Sequence, residues 1–195
     1  MKLRGLYAIT PDAGDVERKV RLALEGGVAL LQYRSKTGSE MQARGVVRLA
    51  REFGVPVIIN DEVQLALELG ADGAHLGRDD GDLSQARARL KGRILGASCY
   101  DDRALAHAAV KAGADYVAFG SVFPSPTKPA AARASLGLFQ EAKALGVPLA
   151  AIGGITLENA PQLIAAGADL LAVISDLFDA PDIRQRARDY GKLFA

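Results

Sequence analysis

Eight short apolar runs, separated by segments of helical periodicity, restrict the fold more than any other feature of this 195-residue sequence. The runs are GLYAIT (5–10), VALLQYR (28–34), PVIIND (56–61), GAHLG (73–77), ILGASC (94–99), YVAFGSV (116–122), PLAAIGG (148–154) and LLAVIS (170–175). Between them, stretches such as DVERKVRLALEGG and TLENAPQLIAAG carry apolar residues at helical spacing and end on glycine. The glycines introduce related phrases, LGADGAHLG, AGADYVAFG and AGADLLAVIS, with EGGVALLQYR as a looser copy. The recurring unit is helix, glycine cap and strand. Eight such units predict a parallel α/β chain, and eight is the number that closes a (β/α)8 TIM barrel. A doubly wound open sheet uses the same units but gives no reason for eight. Typical barrels have about 250 residues, so this chain requires short loops and forms one domain over residues 1–195.

Composition narrows the function. A chain that is 49% hydrophobic and 24% charged can bury a substantial core. A formal net charge of +1, without long blocks of like charge, argues against nucleic-acid or anionic-membrane partners. Cys99 is the only cysteine, which excludes an intrachain disulfide and suits a reducing compartment. The apolar run in MKLRGLYAITP is too short for a signal peptide, and no segment approaches the roughly 18 apolar residues that span a bilayer. The expectation is a soluble, cytoplasmic protein acting on small molecules, and a homo-oligomer is compatible with it.

In a barrel of this type the active site is built at the carboxyl ends of the strands. There the sequence departs from apolar patterning. Gln32, Arg34 and Lys36 recur with period two, so an extended strand would turn an amide and two cations to one face. That suggests a polyanion. The third run ends in Asn60 and Asp61, and the fourth leads into Asp79 and Asp80. One carboxylate from each neighbouring strand end could hold a single Mg²⁺, which completes its shell with water and phosphate. The spacing leaves open whether Asp79 or Asp80 points inward, and a DD pair can also serve as a helix cap. Ser98 lies at the end of the fifth run. The sixth leads into SVFPSPTKP, a proline-stiffened loop with Ser125, Pro126, Thr127 and Lys128. After the seventh, Gly153 and Gly154 allow close backbone approach, and TLEN is expected to open a helix whose amides can bind phosphate. The eighth ends at Ile174 and Ser175.

Together these segments resemble the thiamine phosphate synthase (thiamine-phosphate pyrophosphorylase) family over nearly the whole chain. The similarity lies in LYAIT, LLQYRSK, IINDEVQLALELGADGAHLGRDD, LGASCYD, ADYVAFGSVFPSPTKP, AIGGITLEN and GADLLAVIS, in that order and spacing. The resemblance implies a (β/α)8 barrel that joins hydroxymethylpyrimidine pyrophosphate to thiazole phosphate, with Mg²⁺, releasing pyrophosphate. It implies a pyrimidine-pyrophosphate site at Gln32, Tyr33, Arg34, Ser35 and Lys36, completed by Asn60, Ser98 and Lys128. It implies magnesium ligands at Asp61 and Asp80, and thiazole-phosphate contacts at Ser125, Pro126, Thr127, Gly154, Ile174 and Ser175. Catalysis would fall to Arg34, Lys36, Ser98 and Lys128, by loss of pyrophosphate to leave a pyrimidine cation. Ser35, Arg78, Tyr100 and Ser125 depart from the residues common in the family.

Three rival activities share some of these features. A thiazole tautomerase of the same fold would keep Gly154 and Ser175 but have little use for Asp61, Asp80 and Lys128 together. A Schiff-base aldolase would need Lys128 desolvated. A phosphate-binding regulator would be expected to have lost the metal carboxylates. No serine–histidine–acid set is present, and His75 and His107 are expected to be structural.

Overall fold

The computed structural model describes residues 3–124 and 133–195. Eight parallel strands close in sequence order: β1 (Gly5–Ile9), β2 (Leu30–Tyr33), β3 (Val57–Asn60), β4 (Gly73–Leu76), β5 (Ile94–Tyr100), β6 (Tyr116–Phe119), β7 (Leu149–Ile152) and β8 (Leu170–Val173). Outside them lie α1 (Val16–Gly26), α2 (Glu40–Glu52), α3 (Val63–Leu69), α4 (Leu83–Leu90), α5 (Arg103–Lys111), α6 (Leu136–Ala142), α7 (Ala160–Ala166), α8 (Ser175–Phe178) and α9 (Ile183–Lys192). The architecture is the (β/α)8 TIM barrel that the eightfold repeat predicts.

Strand alternation divides the core in two. Residues such as Leu6, Leu31, Ile59 and Val117 face the helices, where they pack with Val20, Val46, Leu90 and Phe139. Tyr7, Leu30, Ile58, Tyr116, Ala150 and Leu170 fill the barrel interior. Burying both faces explains why the strands read as continuous apolar runs rather than alternating ones. Gly96 is needed inside: a Cβ there would lie 2.2 Å from the Tyr116 ring.

The repeated GAD phrase has a physical function at the amino end of the barrel. Gly70 and Gly167 cap α3 and α7 in the left-handed region, at φ 63° and 113°. Asp72, Asp115 and Asp169 then accept the backbone N–H of Val57, Leu95 and Leu149, at 2.8, 2.7 and 3.1 Å. Each aspartate thus ties the start of its own strand to the start of the preceding one. The six helices α1, α2, α4, α5, α6 and α9 begin with an aspartate or serine whose side chain accepts a first-turn amide. No described helix is long and apolar enough to cross a membrane.

Candidate active site

The carboxyl end of β1 shapes the exit from β2. Thr10, only 1% exposed, donates from Oγ1 to the Arg34 carbonyl at 2.7 Å and accepts the Arg34 amide at 2.9 Å. Asp12 lies 3.2 Å from the Arg34 guanidinium and accepts the Lys36 amide at 3.1 Å. Ser35 accepts the amides of Thr37 and Gly38 from its hydroxyl, closing a turn. Neither Thr10 nor Asp12 is among the expected site residues, although both lie within three residues of the end of β1.

The expected polar face of the second strand needs correction. β2 ends at Tyr33, so Arg34, Ser35 and Lys36 belong to a loop and owe their placement to Thr10 and Asp12 rather than to strand alternation. Gln32 alone of the three period-two residues lies in the strand and is buried. Tyr33 packs in the layer between sheet and helices, and its hydroxyl donates to Gln42 Oε1 of α2 at 3.0 Å. Its ring therefore supports the wall from outside.

Asp61 and Asp80 meet at the mouth. Asp61 has φ 63°, rare for a residue with a Cβ and the sort of strain found at functional sites. Its amide donates to the His75 carbonyl at 2.8 Å, and Asn60 Nδ2 donates to its carboxylate. Asp80 accepts the Gly77 amide at 2.7 Å, and its carboxylate lies close enough to Asp61 to bear on that residue's charge. Partial desolvation at the crowded mouth and the neighbouring Asp80 push the Asp61 carboxyl up to about 6, while Arg34 and Asn60 pull the other way. Two carboxylates pressed together favour a cation. Among the described residues no group of three or more His, Cys, Asp or Glu could hold a metal. A cation here would take two protein oxygens and draw the rest from water or a ligand, which fits Mg²⁺. Alongside, the Arg78 guanidinium lies 4.9 Å from the centre of the Tyr100 ring, so the two residues contact each other.

Beneath this mouth a polar chain crosses the barrel. Gln32 Nε2 donates to Tyr7 Oη, which lies 2.7 Å from Tyr116 Oη. Tyr116 Oη is 2.7 Å from His75 Nδ1, and His75 Nε2 is 2.8 Å from Ser98 Oγ. A bulge after Ser98 shifts the register of β5 against β6 where the chain ends. Burial holds both phenols above their ordinary range and lowers His75 to about 4, so the phenols stay protonated and the imidazole neutral. His75, expected to be structural, belongs to a network ending on two expected site residues.

The opposite side of the mouth is made of backbone. Gly153 and Gly154 follow β7 with φ 106° and 61°. A Cβ on Gly154 would lie 2.3 Å from the Pro124 carbonyl, so the glycine lets the β6 and β7 exits approach. TLEN does not open a helix as expected: Thr156–Asn159 precede α7 as a turn, with Asn159 accepting the Thr156 amide and donating to the Gly154 carbonyl. The Asn159 side chain closes the turn on itself and delays the helix. Ser175 does not end β8 but begins the short α8, while Ile174 packs against the barrel interior. Asp176, the next residue, binds Arg186 and Tyr190 of α9, both at 2.7 Å. The expected contributions of Ser125, Pro126, Thr127 and Lys128 lie outside the described residues. At the barrel's other end a cavity of about 540 Å³, lined by Arg4, Lys143, Pro148 and Asp169 among others, touches none of the strand-end residues above.

Comparison with known proteins points to a single family. Residues 6–177 match the thiamine monophosphate synthase family. The thiamine-phosphate synthase of Aromatoleum aromaticum is 59% identical, covering 99% of this chain and 97% of its own length. That of Methylobacillus flagellatus is 54% identical over 98% and 96% of the two chains. The solved structure of a thiamine phosphate pyrophosphorylase from Pyrococcus furiosus superimposes with a TM-score of 0.86 at 32% identity, over 99% of this chain and 96% of that one.

Proposed function

The chain belongs to the thiamine monophosphate synthase family, whose members are transferases, and on that premise we propose that it joins a hydroxymethylpyrimidine pyrophosphate to a thiazole phosphate, forming thiamine phosphate and releasing pyrophosphate. The observation that carries this reading is the Asp61–Asp80 pair beside Arg34. Paired carboxylates repel a phosphorylated ligand unless a cation sits between them, and a guanidinium next to them supplies the remaining positive charge. Bound between these carboxylates, Mg²⁺ would neutralise charge on the pyrophosphate oxygens.

The residues divide the work. Arg34, with Lys36 and Lys128, binds the pyrophosphate and stabilises the negative charge that grows as the methylene–oxygen bond breaks. The bond's electron pair leaves with pyrophosphate, and the pyrimidine methylene is left cationic. The thiazole nitrogen then shares its lone pair with that carbon. Gln32, Asn60 and Ser98 orient the pyrimidine, and Ser35 shapes the turn beside it. Gly154, Ile174 and Ser175, with Ser125, Pro126 and Thr127, hold the thiazole phosphate. No side-chain nucleophile is needed. Holding two reactants in line can by itself contribute about 7–11 kcal/mol to lowering the barrier.

The test is direct. Purified protein with both substrates and Mg²⁺ should form thiamine phosphate and pyrophosphate in equal amounts, and a chelator should stop it. No product with both substrates present, or full activity in excess chelator, would defeat the reading.

A further inference from the structure

Four consecutive hydrogen bonds join Gln32 to Ser98 through Tyr7, Tyr116 and His75. They cross five strands, and Tyr7 and Tyr116 are 1% and 0% exposed. With the Gln32 amide turned as it is in the structure, counting protons sets the direction of the other bonds. An amide nitrogen can only donate, so Tyr7 Oη accepts from Gln32 and gives its own proton to Tyr116. Tyr116, already accepting, gives its proton to His75 Nδ1. A neutral imidazole has one N–H, which must then be at Nε2 and point to Ser98 Oγ. The Ser98 proton is left free to donate outside the chain.

Turning the Gln32 amide by half a revolution reverses every bond. Tyr7 would donate to Oε1, Tyr116 to Tyr7, His75 Nδ1 to Tyr116, and Ser98 to His75 Nε2. Gln32 would then present N–H to a ligand, and Ser98 would present only lone pairs. Mixed arrangements place two protons, or none, between one pair of atoms, and an unsatisfied buried group is costly. The chain therefore has two low-energy states.

We propose that Gln32, Tyr7, Tyr116, His75 and Ser98 form a hydrogen-bond relay that couples the two ends of the site, so that it selects ligands bringing a donor to one end and an acceptor to the other. The specificity consequence rests on the reading above, in which Gln32 and Ser98 contact the pyrimidine substrate; the relay itself does not. In the state assigned here, the amide oxygen of Gln32 receives a ligand N–H, and Ser98 donates to a ligand acceptor. Tyr7, Tyr116 and His75 act as positioning residues.

The sequence has only two histidines, His75 and His107, so nitrogen NMR of the full chain labelled at histidine resolves the tautomer. Without ligand, His75 should be protonated mainly at Nε2; protonation mainly at Nδ1 would overturn the assigned direction. Gln32→Leu removes the donor at the head of the relay and should turn His75 into a mixture of tautomers, although residue 32 does not touch the ring. Tyr116→Phe should have the same effect, and adding Gln32→Leu to it should change nothing more. Tyr7→Phe provides a second cut should either variant fail to fold. An unchanged single tautomer in folded Gln32→Leu or Tyr7→Phe overturns the relay.

Kinetics supplies the second arm. Gln32→Leu and Ser98→Ala should be non-additive by about five-fold or more in kcat/KM for the pyrimidine pyrophosphate, and additive in the Tyr116→Phe background. Additivity with the relay intact overturns the coupling. Absence of turnover in the unmodified chain would defeat the functional reading while leaving the tautomer result standing.

Discussion

The two halves of the barrel mouth solve the same problem with different materials. From β1 to β4, the site is built of charged side chains that fix one another: Asp12 against Arg34, Asp61 against Asp80. Around β7 and β8 it offers glycines at positive φ and a short helix held from behind by Asp176, Arg186 and Tyr190. On the proposed function, the first half would take a ligand whose charge requires a metal. The second would take a single phosphate on backbone amides without a large cost in desolvated charge. The contrast teaches that function can be removed from the first half by a change of charge, and from the second by a change of shape.

The largest effect is expected where charge is densest. Asp61→Asn or Asp80→Asn should lower kcat by about 10²-fold or more, comparable with losing a preorganised electrostatic group, while thermal unfolding shifts little because both residues are exposed. Steady-state rates across a Mg²⁺ titration would read this; undiminished turnover in both variants would break the division. Arg34→Ala should come next, raising KM for the pyrimidine pyrophosphate by about ten-fold, the effect of about 1.4 kcal/mol of lost binding, with KM for thiazole phosphate unchanged. A rise in both would mean that Arg34 serves the whole mouth.

Shape changes should do less. Gly154→Ala places a methyl group against the Pro124 carbonyl and forces positive φ on an alanine. It should raise KM for thiazole phosphate by about five-fold and lower stability by about 2–4 kcal/mol. The smallest effect is expected from Asp176→Asn, which weakens the hold of α8 on α9. It should raise the same KM by about two- to three-fold and cost about 1–2 kcal/mol in denaturant unfolding. A larger effect there than from Gly154→Ala would move the weight of this half from the glycines to α8.

The barrel was legible in the sequence because its repeat is local: helix, glycine cap, GAD and strand lie within a few residues of one another. The ends of strands were less so. Alternation suggests that Arg34 and Lys36 extend β2, but hydrogen bonds with Thr10 and Asp12, more than twenty residues away in sequence, turn that segment into a loop. Local propensity likewise placed a helix start at TLEN, which the Asn159 side chain closes into a turn. Spacing alone left Asp79 and Asp80 equivalent, because which one meets Asp61 depends on the Gly77 amide. The relay was invisible, since Tyr7 and Tyr116 are 109 residues apart and each reads as ordinary barrel filling.

The division of the mouth is tested most directly by calorimetric binding of inorganic pyrophosphate and of thiazole phosphate, each with and without Mg²⁺, to the unmodified chain and to Asp80→Asn. Pyrophosphate should bind only with Mg²⁺ and lose at least ten-fold in affinity in the variant, while thiazole phosphate binds the same under all four conditions. Equal loss of both ligands, or pyrophosphate binding that ignores Mg²⁺ and Asp80, would contradict it.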